Sequence, residues 1–223
     1  MVGSRSDAPD QAVRAVERWG LLAAVTGMVS DALLLALFTV AQRNSAYEWT
    51  GPANDVIGAV STGATIPVAL ALLTVLGESR SLRIATRLAV LALGLIVGLS
   101  VALVMGVIPF SVQGAAAAIS VPLMFAWVLI VGRTGQTTGQ LPDRLARTAQ
   151  LIGAAVLVAT PLIGLSLLLP GESIPQYIVG GVGLVVVVPA FVGFPIWLLL
   201  LSNRLRGHLF AREVSAAETS AVI

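Results

Sequence analysis

Residues 19–77 read WGLLAAVTGMVSDALLLALFTVAQRNSAYEWTGPANDVIGAVSTGATIPVALALLTVLG. Two apolar runs, 19–42 and 53–77, flank a polar turn from Asn44 to Pro52. Each run exceeds the roughly 20 residues of helix that cross a hydrocarbon core. Backbone groups in lipid must bond within their own segment, so runs of this length predict helices; barrel strands would be short and alternating. The stretch therefore reads as a membrane-spanning helical hairpin. It also carries Asp31, the only ionisable residue deep inside any apolar segment of the chain.

Four more segments qualify as spans: 88–110, 112–132, 148–169 and 176–202. The expected fold class is all-α, a polytopic bundle of six membrane helices over 19–202. Residues 1–18 are a cytoplasmic N-terminal segment, and 203–223 a cytoplasmic tail without structure beyond Arg212. Composition agrees. Hydrophobic residues make up 57% of the chain and charged residues 11%, against about 25% charged in soluble domains. The apolar run after residue 18 is too long for the h-region of a signal peptide, so it is expected to stay as the first span.

Charge fixes orientation. All 13 basic residues are arginine. Arg5, Arg14, Arg18, Arg80, Arg83, Arg87, Arg133, Arg144, Arg147, Arg204, Arg206 and Arg212 flank the spans on one side; only Arg43 lies on the other. The positive-inside rule places both termini in the cytoplasm and favours an even number of spans. Absence of lysine beside abundant Ala, Val and Gly fits a GC-rich bacterial genome, hence a bacterial inner membrane. The net charge of +2 then reflects topology, and no nucleic-acid partner is expected. Trp19, Trp127 and Trp197 fall near the inner interface and Trp49 near the outer one, as an aromatic belt would.

The connections differ in kind. Pro109 makes residues 108–111 a tight outer turn. Residues 133–146, with Gly-Gln-Thr-Thr-Gly-Gln-Leu-Pro, read as a flexible linker. Segments 10–18 and 203–213 mix apolar residues with arginine; they either lie on an anionic leaflet or merely set topology.

Small residues recur at helical spacing and mark expected packing faces. These are Gly20, Ala24, Gly27 and Asp31 in helix 1; Asn54, Gly58, Ser61 and Thr65 in helix 2; and Gly94, Gly98 and Ala102 in helix 3. Helix 5 has Gln150, Gly153, Thr160 and Gly164; helix 6 has Gln176, Gly180, Gly183 and Ala190. Pro67, Pro122, Pro161 and Pro189 each free a carbonyl one turn earlier, either as simple kinks or as the broken helices of a transporter site.

Asp31 is the main candidate for chemistry. It lies twelve residues from Arg43, and Thr65 lies twelve from Ala53, so an antiparallel hairpin puts both roughly 18 Å deep. Ser61, Thr62 and Thr65, with Thr160 at similar depth, are the expected neighbours. An ionised aspartate at the bilayer centre costs about 3 kcal/mol on insertion scales, and no arginine is within reach. Two readings follow: a neutral acid gluing helices together, or a proton- or cation-linked site. A second candidate is the outer turn, where Glu48 and Asp55, with Glu172, would make an acidic vestibule for cations or amines. Capping of helix 2, with Thr50 or Gly51 as cap and Pro52 at its first position, also explains Asp55.

Other chemistry is unsupported. The chain has no cysteine and one histidine, His208, so thiolate sites and histidine-rich metal sites are excluded. No nucleophile elbow, HExxH, P-loop or dinucleotide fingerprint is present, and no cofactor is expected. An enzyme would have to work with carboxylates alone on a lipid-like substrate. The Gly51-Pro52-Ala53-Asn54-Asp55 opening of helix 2 and the Gly193-Phe194-Pro195-Ile196-Trp197-Leu198 ending of helix 6 resemble uncharacterised six-helix membrane proteins of actinobacteria. The resemblance covers most of the chain and implies no activity. The expected function is a small transport or permeation protein centred on Asp31, its partners being membrane lipids and a small-molecule or ion substrate. The rivals are an accessory protein that binds lipid or a membrane partner, and the carboxylate-only enzyme.

Overall fold

A computed structural model describes residues 7–41, 44–77, 79–170 and 173–221. The chain forms α1 (Asp7–Ala36), α2 (Thr50–Leu76), α3 (Arg80–Val104), α4 (Phe110–Thr137), α5 (Asp143–Leu168) and α6 (Ile174–Ala221). A π-helical turn, Leu37–Ala41, extends α1, and a 3₁₀ turn, Ser45–Tyr47, precedes α2. All six helices are long and apolar enough to cross a membrane. Their outward surface is apolar, with Leu91, Leu151, Leu167 and Val185 more than 70% exposed, a surface that water-soluble monomers avoid.

The helices run up and down in a ring. Each packs on its neighbours in sequence, α6 closes on α1, and α2 touches α4 across the middle. This order brings Arg14, Arg18, Arg80, Arg83, Arg87, Arg133, Arg144, Arg147, Arg204 and Arg206 to one end. We call it the arginine end. Polar side chains lock helix pairs there: Ser202 Oγ donates to Leu198 O (2.8 Å) and Val16 O (3.3 Å), Trp197 Nε1 to Leu145 O (3.0 Å), and Gln150 Nε2 to Gln136 Oε1 (2.8 Å).

Several expectations change. Residues 10–18 are no separate surface helix but the first turns of α1, with Val16 fully buried; Leu205 is likewise a core residue of α6. No break follows Arg212, because α6 stays helical to Ala221. The loop expected at 133–146 shrinks to 138–142: polar residues carry α4 on to Thr137 and α5 starts at Asp143. Gly139, at φ +67°, turns the chain, and Leu141 folds back on Gly135. At the other end Gly106, at φ +71°, closes α3 with a Schellman bond from Val107 N to Ala102 O (2.8 Å). Trp127 and Trp197 belong to the core rather than to a belt, whereas Trp19 and Trp49 are 44% and 58% exposed.

Small-residue faces hold for four of the five helices. A Cβ on Gly27 would meet Pro195 of α6 at 3.0 Å and Ser61 of α2 at 3.1 Å. On Gly153 it would strike Phe125 O at 2.6 Å, and on Gly183 Ile163 Cγ1 at 2.7 Å. The exception is α3, whose Gly94 and Gly98 face open space; it packs instead through Leu82, Ala85, Ala89 and Leu93. Alanine and leucine serve that contact, so the glycine spacing was not the packing signal. All four midspan prolines sit inside continuous helices, so the broken-helix expectation is not met.

Candidate functional site

Helices α1, α2, α4 and α6 surround a part-open cavity of about 140 Å³. Its wall comprises Gly27, Ser30 and Asp31 of α1, Gly58, Ser61, Thr62 and Thr65 of α2, Met124 and Phe125 of α4, and Phe191, Phe194 and Pro195 of α6. The two glycines let α1 and α2 approach closely enough to present the acid: a Cβ on Gly58 would meet Ser30 Oγ at 3.1 Å. Asp31 Oδ2 is buried and has no hydrogen-bond partner among the described residues. Thr86 Oγ1 and Trp127 Nε1 share that condition, but neither lines the cavity.

Three of the four hydroxyls on this wall have their protons already committed. Ser30 Oγ donates to Asn54 Oδ1 (2.7 Å), Ser61 Oγ to Ala23 O (2.8 Å) and Thr65 Oγ1 to Ser61 O (2.9 Å). The facing wall is aromatic. Phe125 packs against Phe191 with ring centres 5.3 Å apart and against Phe194 at 5.5 Å; Phe194 stacks on Trp197 at 6.2 Å.

The structure brings Asp31, Ser61, Thr62 and Thr65 to one wall. Their register differs from expectation. Ser30 meets Asn54 and Gly58, so Asp31 is level with the second turn of α2. Thr65 lies seven residues further along, roughly 10 Å nearer the arginine end. The equal-depth estimate failed because α1 keeps rising through the Leu37–Ala41 turn past the start of α2. Thr160 is not on this wall. It sits on α5, which packs between α4 and α6, and its Oγ1 donates to Val156 O of its own helix (2.8 Å).

At the other candidate, Glu48 is exposed in the turn before α2 and Asp55 is half-buried in its second turn; neither lines the cavity. Glu172 and Arg43 lie outside the described residues. The helix start differs too: Trp49 occupies the cap position, and Thr50 Oγ1 donates back to Tyr47 O (2.8 Å). Among the described residues no cluster of metal-ligating side chains occurs.

Sequence reasoning missed the aromatic wall. A signal was present, since Phe191, Phe194 and Trp197 recur every third residue on one face of α6. The partner Phe125 was beyond reach, because nothing in the sequence says that α4 faces α6 across the ring. Comparison with known protein families, with curated proteins and with solved structures found no match.

Proposed function

We propose that the protein is a multi-pass membrane protein of a bacterial inner membrane, with both termini cytoplasmic, that moves a small solute or ion by way of the Asp31 cavity. The arginine bias, the apolar outward surface and six helices of spanning length support insertion. The resemblance to uncharacterised six-helix actinobacterial proteins agrees with this setting and adds no activity.

One observation carries the transport reading: Asp31 lines a part-open cavity, and no protein group bonds its buried Oδ2. Glue between helices would place the acid in a dry contact with a hydroxyl or carbonyl bonded to it. The cavity has room for several waters, and Ser30, Ser61 and Thr65 give their protons elsewhere. A carboxylate-only enzyme needs two carboxyl groups within roughly 6 Å; Asp31 is the only acid on the wall. Ionisable groups inside spans commonly mark ion or proton paths.

The test is flux. Purified protein in liposomes with a trapped pH-sensitive dye is given gradients of sodium, potassium or ammonium. The expected result is proton or cation movement in the wild type and none in Asp31→Asn at equal incorporation. Equal flux in the two proteins overturns the reading.

A further inference from the structure

We propose that the Asp31 cavity is built for a small primary ammonium ion carrying a short alkyl chain; this deepens the transport reading and rests on it for biological purpose. The argument starts from proton bookkeeping. A serine or threonine hydroxyl has one proton to give and lone pairs to receive. Ser30, Ser61 and Thr65 have given theirs to Asn54 Oδ1, Ala23 O and Ser61 O. Each can only accept from a ligand. Asp31 adds a carboxyl group to the lining, its buried Oδ2 bonded to no protein group. The α1–α2 wall thus offers mainly acceptors, beside the hydroxyl of Thr62, with no arginine among its residues. It selects against anions and for a ligand that donates.

The facing wall separates ammonium from metal ions. Sodium-like or divalent cations are held by oxygens on all sides. Here Met124, Phe125, Phe191 and Phe194 line the far side with a thioether and three aromatic rings. Aromatic faces attract an organic cation, more strongly once it is desolvated. A primary ammonium suits both walls, its N–H groups toward Asp31 and the hydroxyls nearest it in register, Ser30 and Ser61, its methylenes against the rings. A cavity of about 140 Å³ has room for a small amine.

Thermal unfolding of the purified full chain in detergent, in phosphate buffer, tests this with four probes: n-butylammonium, tetramethylammonium, sodium and n-butanol. Butylammonium is expected to raise Tm saturably, at roughly tenfold lower concentration than the other three. Asp31→Asn abolishes the shift. Phe191→Leu, which keeps an apolar group and removes a ring, weakens it several-fold and guards against a folding failure of the first variant. Sodium saturating first marks a metal site, butanol matching butylammonium marks an apolar void, and no shift with any probe marks no site; each outcome overturns the proposal. The two readings fail separately. Asp31-dependent sodium flux without butylammonium binding removes the ammonium assignment and leaves transport. Butylammonium binding without flux of any ion does the reverse.

Discussion

The two halves of the bundle are built from different material. Toward the arginine end the interior is filled by large apolar side chains: Leu72, Leu76, Leu82, Trp127, Val128, Trp197, Leu198 and Leu201 are at most 2% exposed. Toward the opposite end, among the described residues, no large apolar side chain is buried. The side chains buried there are small: Ala159 and the hydroxyl-bearing Thr50, Ser100, Ser120 and Ser166. The Asp31 cavity lies where these two regimes meet. Close packing of large side chains supplies both stability and a single arrangement. A half without it contributes less and is freer to rearrange.

The largest expected effect tests whether stability is really so unevenly placed. Trp197→Ala removes a fully buried indole and its bond to Leu145 O, and should cost about 3–5 kcal/mol. Leu168→Ala, near the opposite end and 83% exposed, should cost less than about 0.5 kcal/mol. Reversible unfolding of both in the same detergent reads the difference. Similar losses would break the comparison and return the loose half to the stable core.

Helix contacts sharpen it at the next level. A Cβ on Gly153 would lie 2.6 Å from Phe125 O and 2.7 Å from Leu129 N. Backbone cannot give way cheaply, so Gly153→Val should force α4 and α5 apart and cost about 1–3 kcal/mol. Gly98 of α3 has nothing within 4 Å of such a Cβ. Gly98→Ala should instead gain about 0.5–1 kcal/mol from helix propensity. A loss at Gly98 would show that this outer face of α3 is occupied by another molecule, since nothing in the bundle itself touches it.

These pairs also explain what could be read from sequence. Hydropathy over long windows reveals helices of spanning length, because the requirement for apolar length is local; each expected segment overlaps one of α1 to α6, although 88–110 runs past the end of α3 at Val104 and through the Gly106 turn to Phe110. Hydropathy does not report where a helix ends. Gln136 and Thr137 look like linker, yet Gln136 continues α4 and bonds Gln150 of α5. Asp31 was legible because a lone acid in an apolar run is conspicuous. Ser61, Thr62 and Thr65 were legible because helical spacing puts them on the face toward helix 1. Phe125, Phe191 and Phe194 depend on which helices meet across the ring, and the depth of Asp31 depends on how far α1 rises before turning. Both are tertiary properties with no local signature. The same limit misplaced Trp127 and Trp197: their height along the helix was right for a belt, but their faces turn inward.

The smallest expected change in stability is the most informative about the cavity. Asparagine has nearly the shape of aspartate. Because Asp31 Oδ2 bonds no protein group, Asp31→Asn has no interhelical bond to break at that atom, while a buried acid is replaced by a neutral amide. Thermal unfolding in detergent should therefore show the variant equal to or slightly more stable than the wild type. Residues kept at a stability cost are those that function demands, so this outcome assigns Asp31 to the working half of the molecule. A loss of about 1 kcal/mol or more would mean the carboxylate holds helices together as an intramembrane polar contact does. Asp31 would then belong with the packed arginine end in purpose, and the contrast between a stable half and a working half would lose its boundary.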